Sequence, residues 1–248
     1  MILYNLLLFL LTILGGSAPM WMNAINDKST NYLLAFSGSF LLSITFLHLL
    51  PETFEDMGHR AGLFLLVGFF LQLVIQRFTH GVEHGHTHIS EASTHEHSHH
   101  HHIVPIFSIV AGLSIHAFME GLPLGFHYRL PATQSSLYLA VAAHKLPEAM
   151  LLTSLILHYR GKGEAWKLLI FFSIITPLAA MLAGALGTRY YLMSQVVMWI
   201  VPIVAGAFIH IATTIFFESG TSQHLLTAKK LAAIIAGVAL GLTTLLIH

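Results

Sequence analysis

Apolar runs of roughly twenty residues recur along this chain, each closed by a short polar break. A helix of that length crosses the ~30 Å hydrocarbon core of a bilayer. Helices also satisfy their own backbone groups in lipid. The pattern therefore predicts an all-α integral membrane fold of about eight helices, near 1–18, 32–52, 61–78, 103–127, 132–158, 166–186, 193–217 and 230–247. Between them, 23–31 reads as a short polar loop, and an acidic loop with Glu55, Asp56 and His59 follows Glu52. The link 128–131 is so short that the fourth and fifth helices form an antiparallel hairpin. The segment 80–102 holds ten of the 19 His among Ser, Thr, Glu and Gly and has no apolar periodicity, so it is expected to be a disordered loop. The first run has no Lys or Arg before Lys28 and reads as a retained helix rather than a cleaved signal. No polar stretch is long enough for a soluble domain, so 1–248 is expected to be one polytopic domain.

Composition supports the membrane reading. The 248 residues are 55% hydrophobic and 9% charged, with mean hydropathy +0.74, against about 25% charged in a soluble domain. Net charge is zero, which argues against a nucleic-acid partner. The absence of Cys excludes disulfides and thiolate metal ligands, while nine Met leave thioether ligation open. Basic residues set the orientation. With the N-terminus external, Lys28, Arg77, Arg160, Lys162, Lys167, Lys229 and Lys230 are cytoplasmic, and only Arg60, Arg129 and Arg189 lie outside. Both termini are then external and the His-rich loop is cytoplasmic.

Two stretches break the apolar pattern with chemistry. His116 and Glu120, and again His144 and Glu148, stand four residues apart inside apolar runs. That spacing puts each pair on one helix face. Ionisable groups at membrane depth are costly and mark function by default. His116 lies twelve residues before Tyr128 and His144 twelve after Ala132, about 18 Å of helical rise from the same hairpin turn. Both imidazoles are thus expected near the midplane. Glu120 would stand one turn toward the outside and Glu148 one turn inward, a ladder along the membrane normal. Two His with carboxylates suit Zn(II) or another borderline divalent ion. Pro123 and Pro147 free backbone carbonyls at this depth, as helix interruptions at transporter sites do. The bland alternative is a structural link between two helices.

These residues resemble the ZIP (Zrt/Irt-like) family of divalent-metal transporters. The fourth-helix motif of that family is matched by His116-Ala117-Phe118-Met119-Glu120-Gly121, and the fifth by His144-Lys145-Leu146-Pro147-Glu148. The ending His48-Leu49-Leu50-Pro51-Glu52, the eight spans and the His-rich loop after the third also look like the family. The resemblance implies an inverted repeat, helices one to three against six to eight around the fourth–fifth hairpin. It also implies metal ligation by His116, Glu120, His144 and Glu148, and movement of zinc, iron, manganese or cadmium toward the cytoplasm. Some members add a second metal. Here the corresponding positions hold Ala117, Lys145 and Thr176, so one metal is expected, with Lys145 ion-pairing to Glu120 or Glu148 when no metal is bound.

Outside the centre, His48 and Glu52 are expected at the external mouth, and His210 and Glu218 toward the exit, although a structural role suits His210 better. His84, His86, His88, His95, His97, His99, His100, His101 and His102 are candidate loop metal sites. Ser43, Thr45, Ser173, Thr176, Thr213 and Thr214 suit close helix packing, and Trp21, Trp166, Tyr190 and Tyr191 suit interfacial anchoring. The function expected is divalent metal transport rather than enzymatic catalysis. Zn2+ is the first substrate, with Fe2+, Mn2+, Co2+ or Cd2+ as alternatives. The partners are the ion and the lipid bilayer, and a homodimer is one assembly the chain admits. An intramembrane zinc hydrolase and a metal exporter are the competing readings. A ladder of ligands argues against the hydrolase, and a chain closing at the eighth helix argues against the exporter.

Overall fold

A computed structural model describes residues 2–21, 27–79, 106–127, 131, 133–218 and 227–246. The elements are α1 (Ile2–Trp21), α2 (Asp27–Ile44), a π-helical turn (Thr45–Leu49), α3 (Leu50–Met57), α4 (Arg60–Thr79), α5 (Ile106–Leu124), α6 (Gln134–Arg189), α7 (Tyr191–Glu218), α8 (Ala228–Thr243) and a final 3-10 turn (Thr244–Leu246). Among the described residues, seven helical runs are long and apolar enough to cross a membrane, α2 and α3 counting as one through the π turn. The 56-residue α6 is too long for a single crossing. Gly161, at φ 79° and ψ 177°, breaks it into two arms, 134–160 and 162–189. Eight crossings result, and the chain is a multi-pass membrane protein.

The boundaries correct several expectations. The presumed loop after Glu52 is helical: α3 carries Glu55 and Asp56 to Met57, and Gly58, at φ 56°, ends it. Pro51 near the start of α3 explains the π turn before it. A proline ring collides with the carbonyl four residues back, here that of Leu47, and one widened turn makes room for it. The presumed loop 23–31 is already helical from Asp27. The stretch between the fifth and sixth helices is not a loop either, because only Gly161 departs from helix. The fourth helix ends at Leu124 rather than residue 127. The His-rich segment 80–102 lies outside the described residues.

The crossings sort into two groups of four. α1, α5 and both arms of α6 pack together, and α2–α3, α4, α7 and α8 make the second group. Small residues set the separations. A Cβ on Gly68 of α4 would strike the backbone of Ile203, and one on Gly206 of α7 would strike that of Leu65, so these two helices meet backbone to backbone. Gly237 of α8 meets Phe36 and Phe40 of α2 in the same way. These contacts carry a symmetry. Exchanging crossings 1 with 6, 2 with 7, 3 with 8 and 4 with 5 turns the 3–7 seam into the 8–2 seam. It likewise turns the contact of Gly15 with Leu146 (1–5) into that of Gly121 with Thr176 (6–4). Exchanged crossings run in opposite directions through the bilayer, so the architecture is an inverted repeat with the fourth–fifth hairpin on its axis.

Candidate metal centre

The hairpin presents His116 and Glu120 from α5, and His144, Lys145 and Glu148 from the first arm of α6, to one another. α5 lies flush on the second arm of α6 because Gly121 has no Cβ to strike the Thr176 carbonyl. The Thr176 hydroxyl donates to the Ala117 carbonyl at 2.9 Å and fixes that register. His116, Glu120, His144, Lys145 and Glu148 are all at most 1% exposed.

One donor atom from each of His116, Glu120, His144 and Glu148 lies within 4.8 Å of the other three. His116 Nε2 is 3.3 Å from Glu120 Oε1 and 3.5 Å from Glu148 Oε1, and His144 Nε2 is 3.8 Å from Glu120 Oε1. The rings stand edge to face with centroids 6.0 Å apart and planes at 81°. The expected ladder is therefore a compact cluster. Glutamate side chains are long enough to close the one-turn offset, and Lys145 draws them together. Its ammonium bridges Glu120 Oε2 and Glu148 Oε2, the latter at 2.6 Å. The expectation of a pairing with one or other carboxylate is met by both. The ammonium also sits 4.7 Å from the ring centroid of Phe172, on the second arm of α6.

Six atoms of the cluster are buried without a hydrogen-bond partner: His144 Nδ1, Glu120 Oε2, which is ion-paired to Lys145, and the four that converge, His116 Nε2, His144 Nε2, Glu120 Oε1 and Glu148 Oε1. Buried polar atoms are nearly always paired. Their convergence suits a divalent cation that accepts two imidazole nitrogens and two carboxylate oxygens. The compactness also removes the geometric argument against a hydrolase, which had rested on a ladder.

The remaining predicted residues lie elsewhere. His48, in the π turn, has Nε2 2.8 Å from Thr244 Oγ1 at the end of α8. His210 of α7 has Nε2 2.8 Å from Gln76 Oε1 of α4, with Phe69 edge-on at 4.8 Å. The repeat operation exchanges these two contacts, 2–8 with 7–3. Glu52 accepts a hydrogen bond from Thr133 Oγ1 at 2.9 Å, tying α3 to the start of α6. It shares a narrow cleft with Asp56, Val201 and Pro202. Glu218 closes α7. The candidate loop ligands from His84 to His102 lie outside the described residues.

Sequence reasoning missed Phe172, Gln76, Thr133 and Thr244. A signal existed for α4, where Gln72 and Gln76 stand one turn apart in an otherwise apolar run. Nothing in the sequence marks one phenylalanine among 17 as the partner of Lys145. Of the hydroxyls expected to help packing, Thr176 crosses between helices, whereas Thr45 and Ser173 bond back to carbonyls of their own helix.

Fold and cluster together define a multi-pass membrane protein with a buried, cation-compatible centre at its symmetry axis. Residues 1–106 and 82–244 match the family model described as ZIP Zinc transporter, and the chain belongs to that family. A comparison with curated proteins gave no match. Divalent metal transport is what membership entails, and the family is one of transporters, not enzymes.

Proposed function

We propose that this chain carries zinc, ahead of other divalent ions, into the cytoplasm, one ion at a time, on His116, Glu120, His144 and Glu148. The observation that carries this reading is the convergence of four buried donor atoms without hydrogen-bond partners inside the apolar core. Two imidazoles favour zinc over magnesium or calcium, which prefer oxygen. A single ion follows from the neighbours. Ala117 offers no ligand, the Thr176 hydroxyl is engaged with a carbonyl, and the Lys145 ammonium repels a second cation.

Both termini lie outside in this reading, as the basic residues indicate. The His-rich segment is then cytoplasmic and receives ions. Glu52 and Asp56 form an anionic mouth that raises the local cation concentration. Access alternates when the group containing the site shifts against the other four crossings, as in other carriers built on inverted repeats.

The test is zinc uptake into liposomes containing the purified chain, with His144→Ala plus Glu148→Ala as the control. Uptake that falls to the level of empty liposomes in a folded double variant supports the reading. Uptake that survives places the pathway elsewhere, and no uptake by the unaltered chain returns weight to a hydrolytic or sensing role.

A further inference from the structure

Lys145 is fully buried, yet it stands among the residues read as ligands and cannot itself ligate while protonated. Its contacts are selective. It takes Oε2 of Glu120 and Oε2 of Glu148, on different helices. In both carboxylates this leaves Oε1 facing the histidines, at 3.3 and 3.5 Å from His116 Nε2 and, for Glu120, 3.8 Å from His144 Nε2. The same two Oε1 atoms and two Nε2 atoms lack hydrogen-bond partners, as do His144 Nδ1 and Glu120 Oε2, the latter held by Lys145 as an ion pair. The Lys145 ammonium also lies over the Phe172 ring, 4.7 Å from its centroid.

We infer that Lys145 is a positioning residue. By holding one oxygen of each glutamate it aims the other oxygen at the ion, composing a single site of two nitrogens and two oxygens. Phe172 is the wall that fixes the ammonium in place. The inference rests on the ligand set proposed above. A role limited to charge compensation would need only a cation nearby. Positioning needs a compact ammonium between two particular oxygens. Arginine preserves the charge but not the shape, because its planar fork spreads its donors and engages carboxylates bidentately.

The test is zinc binding to the purified full-length chain by equilibrium dialysis, with thermal unfolding as the check on folding. The His116→Ala/His144→Ala chain keeps every histidine of 80–102 and supplies the background to subtract. If the subtracted signal of the unaltered chain is zero, the ligand reading fails and this inference with it. If it is one zinc per chain, that reading stands and the variants decide the role of Lys145. Lys145→Met and Lys145→Arg are each expected to weaken the subtracted affinity about 10–100-fold, the usual effect of losing a group that orients a metal ligand. Phe172→Leu, the mildest change, is expected to weaken it several-fold, with no further loss when added to Lys145→Met. Wild-type affinity in Lys145→Arg would overturn positioning in favour of charge compensation. Wild-type affinity in Phe172→Leu would overturn it even if both lysine variants failed to fold.

Discussion

The two groups of crossings use buried histidine in opposite ways. His48 and His210 are buried too, at 8% and 3% exposed against 1% and 0% for His116 and His144. Each gives Nε2 to a neutral partner on a neighbouring helix, Thr244 or Gln76. His116 and His144, in the other group, face carboxylates with Nε2 unbonded. Burial and residue type are therefore not what distinguishes a site. The difference is what Nε2 faces. An Nε2 that meets a neutral partner on a neighbouring helix fastens the two helices, even though His210 Nδ1 is itself buried without a hydrogen-bond partner, whereas an Nε2 that faces carboxylates is poised for a cation.

That contrast can be broken by substitution. The largest effect is expected from His116→Ala or His144→Ala, each lowering zinc affinity by about 100-fold or more, since even the loss of a ligand's orienting partner costs 10–100-fold. Thermal unfolding is the check on folding, because deleting a buried imidazole leaves a cavity that itself lowers stability. Gly121→Val comes next. The added side chain must push α5 off the second arm of α6, with an overpacking cost of about 1–3 kcal/mol that thermal unfolding in detergent should register together with a loss of transport. His210→Ala should part from the central histidines in affinity. It leaves Gln76 without that partner and costs about 1–3 kcal/mol of stability, while zinc affinity stays at the wild-type level. A large drop in affinity for His210→Ala would erase the contrast. The smallest effect is expected at Trp21→Leu, where the Lys162 ammonium lies 4.2 Å from the indole ring. An exposed pair of this kind is worth about 0.5–1 kcal/mol, a small shift in midpoint with transport intact.

Much of this was legible beforehand, for a local reason. Lipid demands long apolar helices, so composition and run length disclosed the eight crossings. The four-residue His–Glu spacing disclosed one face on each of two neighbouring helices. Boundaries were less legible. The helix through Glu55 and Asp56 looked like a loop because its residues are polar, but polarity at a membrane surface does not oppose helix, and Gly58 is where the backbone turns. The continuity of α6 past residue 158 was hidden for the same reason, since Lys162 and Glu164 are good helix formers on an exposed turn.

The sequence by itself determined the class of the protein, the number of crossings and the two His–Glu pairs that meet in the buried cluster, because hydropathy and periodicity act over one or a few turns. Only the tertiary structure decided how those residues divide their bonds. The collapse of a ladder into a cluster, the choice of Oε2 by Lys145, the Phe172 wall and the pairing of His48 with Thr244 across 196 positions all depend on which helices touch. Those contacts are fixed by glycines at backbone–backbone seams and by the inverted repeat, and neither leaves a local periodicity to read.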